Sequence, residues 1–426
     1  MAASAAFAAL PETAHGAPQA LCPVPSPRAV AATHLDDGAW SYFGDPRALA
    51  HGDRVFIGCV SRSGEVVIHQ VDRKTGRTVK VIVHRNPEVD DHDNPSLVFW
   101  RGHMWAFYSP HSGRYYPLNR KSEMHYRASR RLYNIKAGLG PEHHVRTNTP
   151  GGLGYTYPNP VAGKDKLWLF WRGGNWYPTF SYTKDGFRWV KARTLVVSHR
   201  DQRPYAKYVG GRDESIHMVM SDAHPMSHRT SLYYVRYKAG RFYRANGRRI
   251  GTMRDLPLRI GQIDRVYGFT AARGRGWPHD IALDAAGRPL ILYTGRIGGP
   301  KGADTFYLAR WSGRSWRHHR IVAAGKGAPT FTSGGGAFDH ADPSRLVLSR
   351  RIGKWFQIEL WRTADHGLSW LEPVQITDDD DGHSFRPVIP RGFVDPAGLF
   401  VAYVHGTAKS FRSYETDIEI EHSSGD

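Results

Sequence analysis

The chain has 426 residues, a formal net charge of +19 and 40% hydrophobic residues, which is enough apolar content for one large β domain or two to three ordinary ones. No apolar run reaches the roughly 18 residues of a transmembrane helix, and no zinc-finger, helix-turn-helix or RNA-recognition pattern accompanies the charge, so neither a membrane nor a nucleic acid is the expected partner. Basic residues are spread along the chain, a field that attracts polyanions such as an acidic polysaccharide, although a generally basic proteome accounts for the charge equally well.

Residues 1–30 are Ala-rich and lack a basic n-region. The stretch from Met1 to about Ala20 looks like the tail of an incomplete secretion signal, with Ala14-His15-Gly16-Ala17 as a small-residue site, and reads as a truncated signal or mis-called start as readily as a real cytoplasmic terminus; a secreted protein is the expectation, and residues 1–30, signal-like or disordered, are set apart from the fold. Cys22 and Cys59, the only two cysteines, match no zinc spacing; a disulfide between them would tie the N-terminal segment to the first strands.

From residue 31 to 426 one domain is expected. A polar, Pro- or Asp-containing lead-in recurs seven times: Asp45-Pro46-Arg47-Ala48, Asn94-Pro95-Ser96-Leu97, Tyr157-Pro158-Asn159-Pro160, Arg203-Pro204-Tyr205-Ala206, Pro278-His279-Asp280-Ile281, Phe338-Asp339-His340-Ala341 and Phe385-Arg386-Pro387-Val388. The spacing, roughly forty to seventy residues, is near that of propeller blades. Clean strand-like runs follow several lead-ins, among them Arg54-Val55-Phe56-Ile57-Gly58, Met104-Trp105-Ala106-Phe107-Tyr108, Leu167-Trp168-Leu169-Phe170-Trp171 and Pro289-Leu290-Ile291-Leu292-Tyr293. With 12% aromatics, including 13 Trp and 21 Tyr, and no long helical period, the pattern predicts an all-β, seven-bladed β-propeller with about four antiparallel strands per blade. Thr363-Ala364-Asp365-His366-Gly367-Leu368-Ser369-Trp370 fits the Asp-box pattern, and Ser181 to Trp189 holds a shortened version. In such hairpins the Asp bonds its own turn, so Asp365 reads as structural.

Four residues at the ends of strand-like runs carry the chemistry: His92 in Asp90-Asp91-His92-Asp93-Asn94-Pro95, His111 after Tyr108-Ser109-Pro110, Tyr157, and Arg172 after Leu-Trp-Leu-Phe-Trp. Each also has a bland reading. A lone His in a β protein is more often a hydrogen-bonded core residue, and Tyr157 before Pro suits an aromatic filler. Arg172 is harder to dismiss, because a charge closing an apolar run needs a partner or a solvated pocket. Two imidazoles, a phenol and a guanidinium together suit β-elimination from a uronic acid. The C5 proton needs a base, the O4 leaving group an acid, and the developing enolate-like charge a cation. Arg matches a carboxylate and stays charged.

With its spacing taken together, the chain resembles the BNR-repeat family of seven-bladed propellers that includes ulvan lyases and rhamnosyl-glucuronate lyases. The resemblance runs from about Ala39 to Glu421. It rests on Trp40 to Ala48, Asp90 to Pro95, Tyr108 to His111, Tyr157-Pro158, Trp171-Arg172, Ser221-Asp222-Ala223-His224-Pro225, Asp280 to Asp284 and Phe385 to Pro390. It implies His92, His111, Tyr157 and Arg172 as catalytic residues, with Arg172 neutralising the carboxylate and Tyr157, partnered by His92 or His111, moving the proton. Tyr155 is the neighbouring alternative for the phenol. Asp91, Asn94, Arg203, His224 and Arg229 are the candidate substrate contacts; Arg203 and Arg229 read equally as surface or inter-blade arginines, and His224 as a hydrogen-bonded loop residue.

The expected reaction is elimination at rhamnose-α-1,4-glucuronate linkages of ulvan or of rhamnose-capped arabinogalactan such as gum arabic. No cofactor or catalytic metal is required; a structural calcium or zinc ion is left open, and a monomer is expected. Two other functions compete. An α-L-rhamnosidase would hydrolyse the same linkage, but Asp91 and Asp93 lie too close in sequence to flank a sugar from both faces. A sialidase, a weaker hydrolytic reading, would need an arginine triad. A non-catalytic sugar-binding propeller would need only the aromatics.

Overall fold

In each blade one strand, at or beside a lead-in, runs nearest the axis of the molecule, and three further strands follow it outward in antiparallel order. The computed structural model describes residues 31–423 except 86–87, 112–113, 116–119, 122–123, 146–154, 200–201, 300–301, 330–332 and 396–397. Blade 1 is Ala48–His51, Arg54–Val60, Glu65–Asp72 and Thr78–Arg85; blade 2 is Ser96–Trp100, His103–Tyr108, His125–Arg131 and Asn134–Leu139. Blade 3 is Thr156–Ala162, Leu167–Arg172, Pro178–Thr183 and Arg193–Thr194, and blade 4 is built on Ala206–Gly210, Ile216–Ser221, Leu232–Lys238 and Arg241–Tyr243. Blade 5 is Arg275–Leu283, Pro289–Ile297, Ala303–Trp311 and Trp316–Gly325; blade 6 is Gly336–Phe338, Arg345–Ile352, Trp355–Arg362 and Val374–Gln375.

Blade 7 takes His383–Val388, Leu399–Ser410 and Ser413–Ser423 from the C-terminal part and its outermost strand, Ala31–Leu35, from the N-terminal part. Ala31 pairs with His422 and Leu35 with Ile418, which closes the ring of seven blades by main-chain hydrogen bonds. The described residues contain no α-helix, and no helix is long and apolar enough to cross a membrane.

Burial explains why the second strands read so clearly. Leu167–Arg172 is buried at every position because blades cover both its faces, whereas the outer strand Thr78–Arg85 is largely open to solvent. The seven lead-ins all fall at innermost strands, but at different points along them. Asp45 to Ala48, Asn94 to Leu97 and Arg203 to Ala206 run into the start of a strand, Tyr157 to Pro160 and Pro278 to Ile281 lie inside one, Phe385 to Val388 closes one, and Phe338 to Ala341 begins where Gly336–Phe338 ends.

Both Asp-box turns are structural. Asp365 Oδ1 accepts from Ser369 N at 2.8 Å, and Asp185 Oδ1 accepts from Phe187 N and Arg188 N at 2.8 Å each. Gly186 has φ +89°, and a Cβ there would sit 2.4 Å from the Trp105 ring, so the turn needs glycine twice over. Cys59 is fully buried and its thiol is pushed up to about 12 by burial; Cys22, its expected partner, lies outside the described residues.

A charged hub plugs the axial channel. Lys207, 1% exposed, bonds the Asp45 carboxylate and the Tyr42 carbonyl, and Asp45 also accepts from Arg47 Nε at 2.9 Å. Buried charges persist only when paired in this way. Over the hub lies an aromatic floor of Tyr42, Phe43, Tyr157, Tyr205 and Trp277. At the other mouth of the channel a cavity of 980 Å³ is lined by turns that follow the inner strands, including Ala162, Arg212, Asp284 and Asp342, and it holds none of the four chemistry-bearing residues.

Candidate active site

The four residues converge on the face where the inner strands begin. His92 sits in a single 3-10 turn, Asp91–Asp93, capped by Asp90, whose carboxylate accepts the His92 backbone N–H at 3.0 Å. His111 arrives from the end of blade 2's second strand. The two imidazoles stack, with centroids 3.9 Å apart and planes 6° from parallel. One carboxylate holds both. His92 Nδ1 donates to Asp90 Oδ1 at 2.7 Å and His111 Nδ1 to Asp90 Oδ2 at 2.8 Å, while Arg412 Nε reaches Oδ2 at 3.0 Å. A carboxylate that only accepts fixes Nδ1 as the protonated nitrogen of each ring and turns both Nε2 atoms away from it.

Stacked cationic rings repel, and their surroundings separate them. Burial lowers the His111 pKa to about 4, helped by His92 and Arg172 and opposed by Asp90. His92 is also penalised by burial, but Asp91 and Asp90 more than offset this and raise its pKa above the usual value. The surroundings therefore favour the charged form at His92 and the neutral form at His111, and because the rings touch, their titrations are coupled. Asp90, Asp91 and their two imidazoles leave Asp93, fully buried, with a pKa raised well above the ordinary carboxylate value by burial and by Asp90 and Glu88.

Tyr157 reaches this site through a bulge. Thr156 pairs with Arg172 and Asn159 with Phe170, so the strand carries an extra residue between them, and Tyr157 takes φ +59°. Asn159 Nδ2 pins the bulge by donating to the Tyr157 carbonyl at 2.9 Å and the Phe43 carbonyl at 2.7 Å. The Tyr157 ring lies 5.2 Å from His92. Its phenol is pushed well above the usual pKa by burial and Tyr205, against the pull of Arg172, so it is protonated in the free protein. Tyr155, the alternative, stacks on Trp171 at 5.7 Å, outside the cluster.

Arg172 is 7% exposed and caged by rings. Its guanidinium lies 4.5 Å from Tyr157, 4.7 Å from Trp176 and 5.2 Å from Tyr205, and Nη1 donates to Tyr205 Oη at 2.7 Å. Among the described residues no Asp or Glu pairs with it, and its buried Nε makes no hydrogen bond.

The other expected residues fall into three places. Arg203 is exposed at the rim, 4.8 Å over Trp176, and His224 packs against Tyr205 at 4.9 Å, its pKa lowered to about 4 by burial, Arg172 and Arg203. Asp91, 2% exposed, stands behind His92 and binds Arg386 Nη1 at 2.6 Å; Asn94, 1% exposed, accepts from Ser41 N at 3.0 Å. Arg229 is exposed against Phe269 at 5.7 Å and makes no contact with the four among the described residues. Sequence reasoning passed over Asp90, Tyr205, Trp176, Trp277 and Arg412. Asp90 and Tyr205 stand inside the quoted segments, but their roles depend on partners far along the chain. Asp90, His92 and His111 also have the spacing of a metal-ligand group, yet here both rings donate to Asp90 and Arg412 supplies the cation.

Comparison with known proteins adds the family. The pattern described as "BNR repeat-containing family member" matches residues 54–324. No curated protein sequence matches significantly. Among solved structures, a PL25 ulvan lyase bound to -[GlcA(1-4)Rha3S]- superposes with TM-score 0.73 at 14% identity, over 92% of this chain and 95% of that one. A second PL25 ulvan lyase structure gives 0.72 at 14% identity, over 90% and 94%. Polysaccharide lyase Uly1 gives 0.57 at 10% identity, over 91% and 92%. At these identities the likeness establishes the propeller fold.

Proposed function

Because the chain belongs to the BNR repeat-containing family, whose matched span contains all four site residues, we propose that it is a polysaccharide lyase acting on a glucuronate-containing glycan by β-elimination at rhamnose-α-1,4-glucuronate linkages. The observation that supports this most is Arg172: a buried guanidinium, 7% exposed and without an acidic partner among the described residues, beside two imidazoles held on one carboxylate. A cation kept dry and unpaired is costly unless a ligand brings the counter-charge. A uronate carboxylate is planar and matches the guanidinium fork.

The roles follow from the protonation states. In glucuronate the C5 proton and the O4 substituent lie on one side of the ring, so base and acid must approach from one face. His92, His111 and Tyr157 form one cluster. Neutral His111 takes the C5 proton on Nε2. The electron pair forms the C4–C5 double bond, the C4–O4 bond breaks, and the protonated Tyr157 phenol gives its proton to O4. Proton transfer from the His111 imidazolium then restores the phenol. Arg172 and charged His92 stabilise the negative charge that builds on the carboxylate as C5 loses its proton. Hydrolysis is less suited to this site. It needs two carboxylates facing the sugar, whereas Asp90 and Asp91 are 0% and 2% exposed and held by His92, His111, Arg386 and Arg412. The basic net charge of +19 favours an acidic glycan.

Incubation with ulvan, and separately with gum arabic, is expected to give rising ultraviolet absorbance from a conjugated 4,5-unsaturated uronate. The substrate that responds identifies the glycan. Free rhamnose without absorbance would replace elimination by hydrolysis.

The pH profile of kcat/KM is expected to be bell-shaped. Activity is lost as pH falls and His111 gains a proton toward about 4, and lost as pH rises through the raised pKa of His92. The two limbs belong to the coupled pair. A rate that climbs steadily to pH 10 would instead make tyrosinate the base and overturn the assignment of His111.

A further inference from the structure

A second cluster lies on the flank of blade 2, separate from Asp90 and its imidazoles. His125 opens the strand His125–Arg131, paired across from Tyr108 on one side and from His144 on the other. Glu142 projects between them. Its two oxygens are used differently. Oε2 accepts from His84 Nδ1 at 2.8 Å and Tyr108 Oη at 2.9 Å, both ordinary hydrogen bonds. Oε1 makes a longer hydrogen bond with His125 Nδ1, at 3.2 Å, and lies 3.8 Å from His144 Nε2. The ligand atoms of His125, Glu142 and His144 all lie within 4.8 Å of one another.

Zinc binds imidazole nitrogen and carboxylate oxygen at about 2.0–2.1 Å in a tetrahedron, which sets neighbouring donors roughly 3.3 Å apart. The separations of 3.2 and 3.8 Å bracket that value. The hydrogen bonds from His84 and Tyr108 to the far oxygen are the outer contacts that orient a ligating carboxylate. A groove of 310 Å³, lined by Tyr126, Glu142, His143, His144, Phe187 and Trp189, gives an ion a route in.

We propose that His125 Nδ1, Glu142 Oε1 and His144 Nε2 form a binding site for one zinc ion, with a fourth position open to water. The ion joins the strand that begins at His125 to the short strand His143–His144, and it lies beside Tyr108, three residues before His111. It is a structural clamp on the blade that delivers His111, and it stands independently of the lyase reading.

The test uses the full chain without an affinity tag, stripped with a chelator and titrated with Zn²⁺ or Co²⁺. One ion per chain is expected, with visible Co²⁺ absorption of tetrahedral type and a higher thermal midpoint in Zn²⁺. His125→Gln and His144→Gln should each abolish the Co²⁺ absorption and the rise in midpoint. The His144 side chain is 32% exposed, so its replacement leaves the metal-free fold unchanged by circular dichroism. Failure to bind one equivalent would overturn the proposal. So would absorption that survives both variants and is lost in His92→Gln, since the ion would then sit at the Asp90 cluster.

Discussion

Arg172→Ala is expected to lower kcat by about 10³-fold or more, roughly 4 kcal/mol of transition-state stabilisation, with little change in stability. The reasoning is electrostatic. The carboxylate gains charge density as C5 is deprotonated, and the guanidinium sits in a ring cage, 7% exposed, where water screens it poorly. Removing it breaks no ion pair among the described residues, so the fold loses only the Tyr205 hydrogen bond and ring contacts. Arg172→Lys should recover little, because a point charge cannot reproduce the two-pronged match to a carboxylate. The check is steady-state kinetics on the responsive glycan alongside a thermal melt. Wild-type turnover in Arg172→Ala would place the carboxylate elsewhere.

The second large effect is expected at a residue that never touches the substrate. Asp90 is 0% exposed and accepts from His92 N, His92 Nδ1, His111 Nδ1 and Arg412 Nε. Asparagine offers one acceptor oxygen and a donor in place of the second, so at least one imidazole loses its anchor and its fixed tautomer. Asp90→Asn should lower kcat by about 10²- to 10⁴-fold. It should also move the alkaline limb of the pH profile to lower pH, because His92 loses one of the two carboxylates that hold its charge. A thermal melt read alongside separates this effect from lost stability, since the variant also leaves His92 and Arg412 with one anionic partner fewer. An unchanged rate and an unchanged alkaline limb together would show that Asp90 does not set the imidazoles.

The lead-ins were legible because propeller blades repeat a local device. A polar or Pro-containing segment turns the chain inward, and the second strand, covered on both faces, favours an apolar run such as Leu167 to Trp171. The Asp boxes were legible for the same reason: Asp365 and Asp185 bond their own turns. Arg172 was legible because its charge breaks an apolar run. Tyr157 was harder to place. Its side chain enters the site only because Asn159 stabilises a bulge with φ +59° at Tyr157, a departure from alternation that residue type does not announce.

By itself the sequence determined the all-β repeat and the number of blades, since these depend on neighbours within one strand or turn; the four residues it put forward for acid–base and carboxylate chemistry rested on residue type and on the family resemblance. Tertiary structure decided that Asp90 grips both imidazoles, that burial and nearby carboxylates push the pKa values of His92 and His111 in opposite directions, and that Glu142 gathers His84, His125 and His144. Those outcomes arise from burial and from charges brought together across blades, such as Arg386 on Asp91 and Arg412 on Asp90, pairs separated by 295 and 322 positions. Separation along the chain sets no electrostatic energy; distance and dielectric in the folded molecule do.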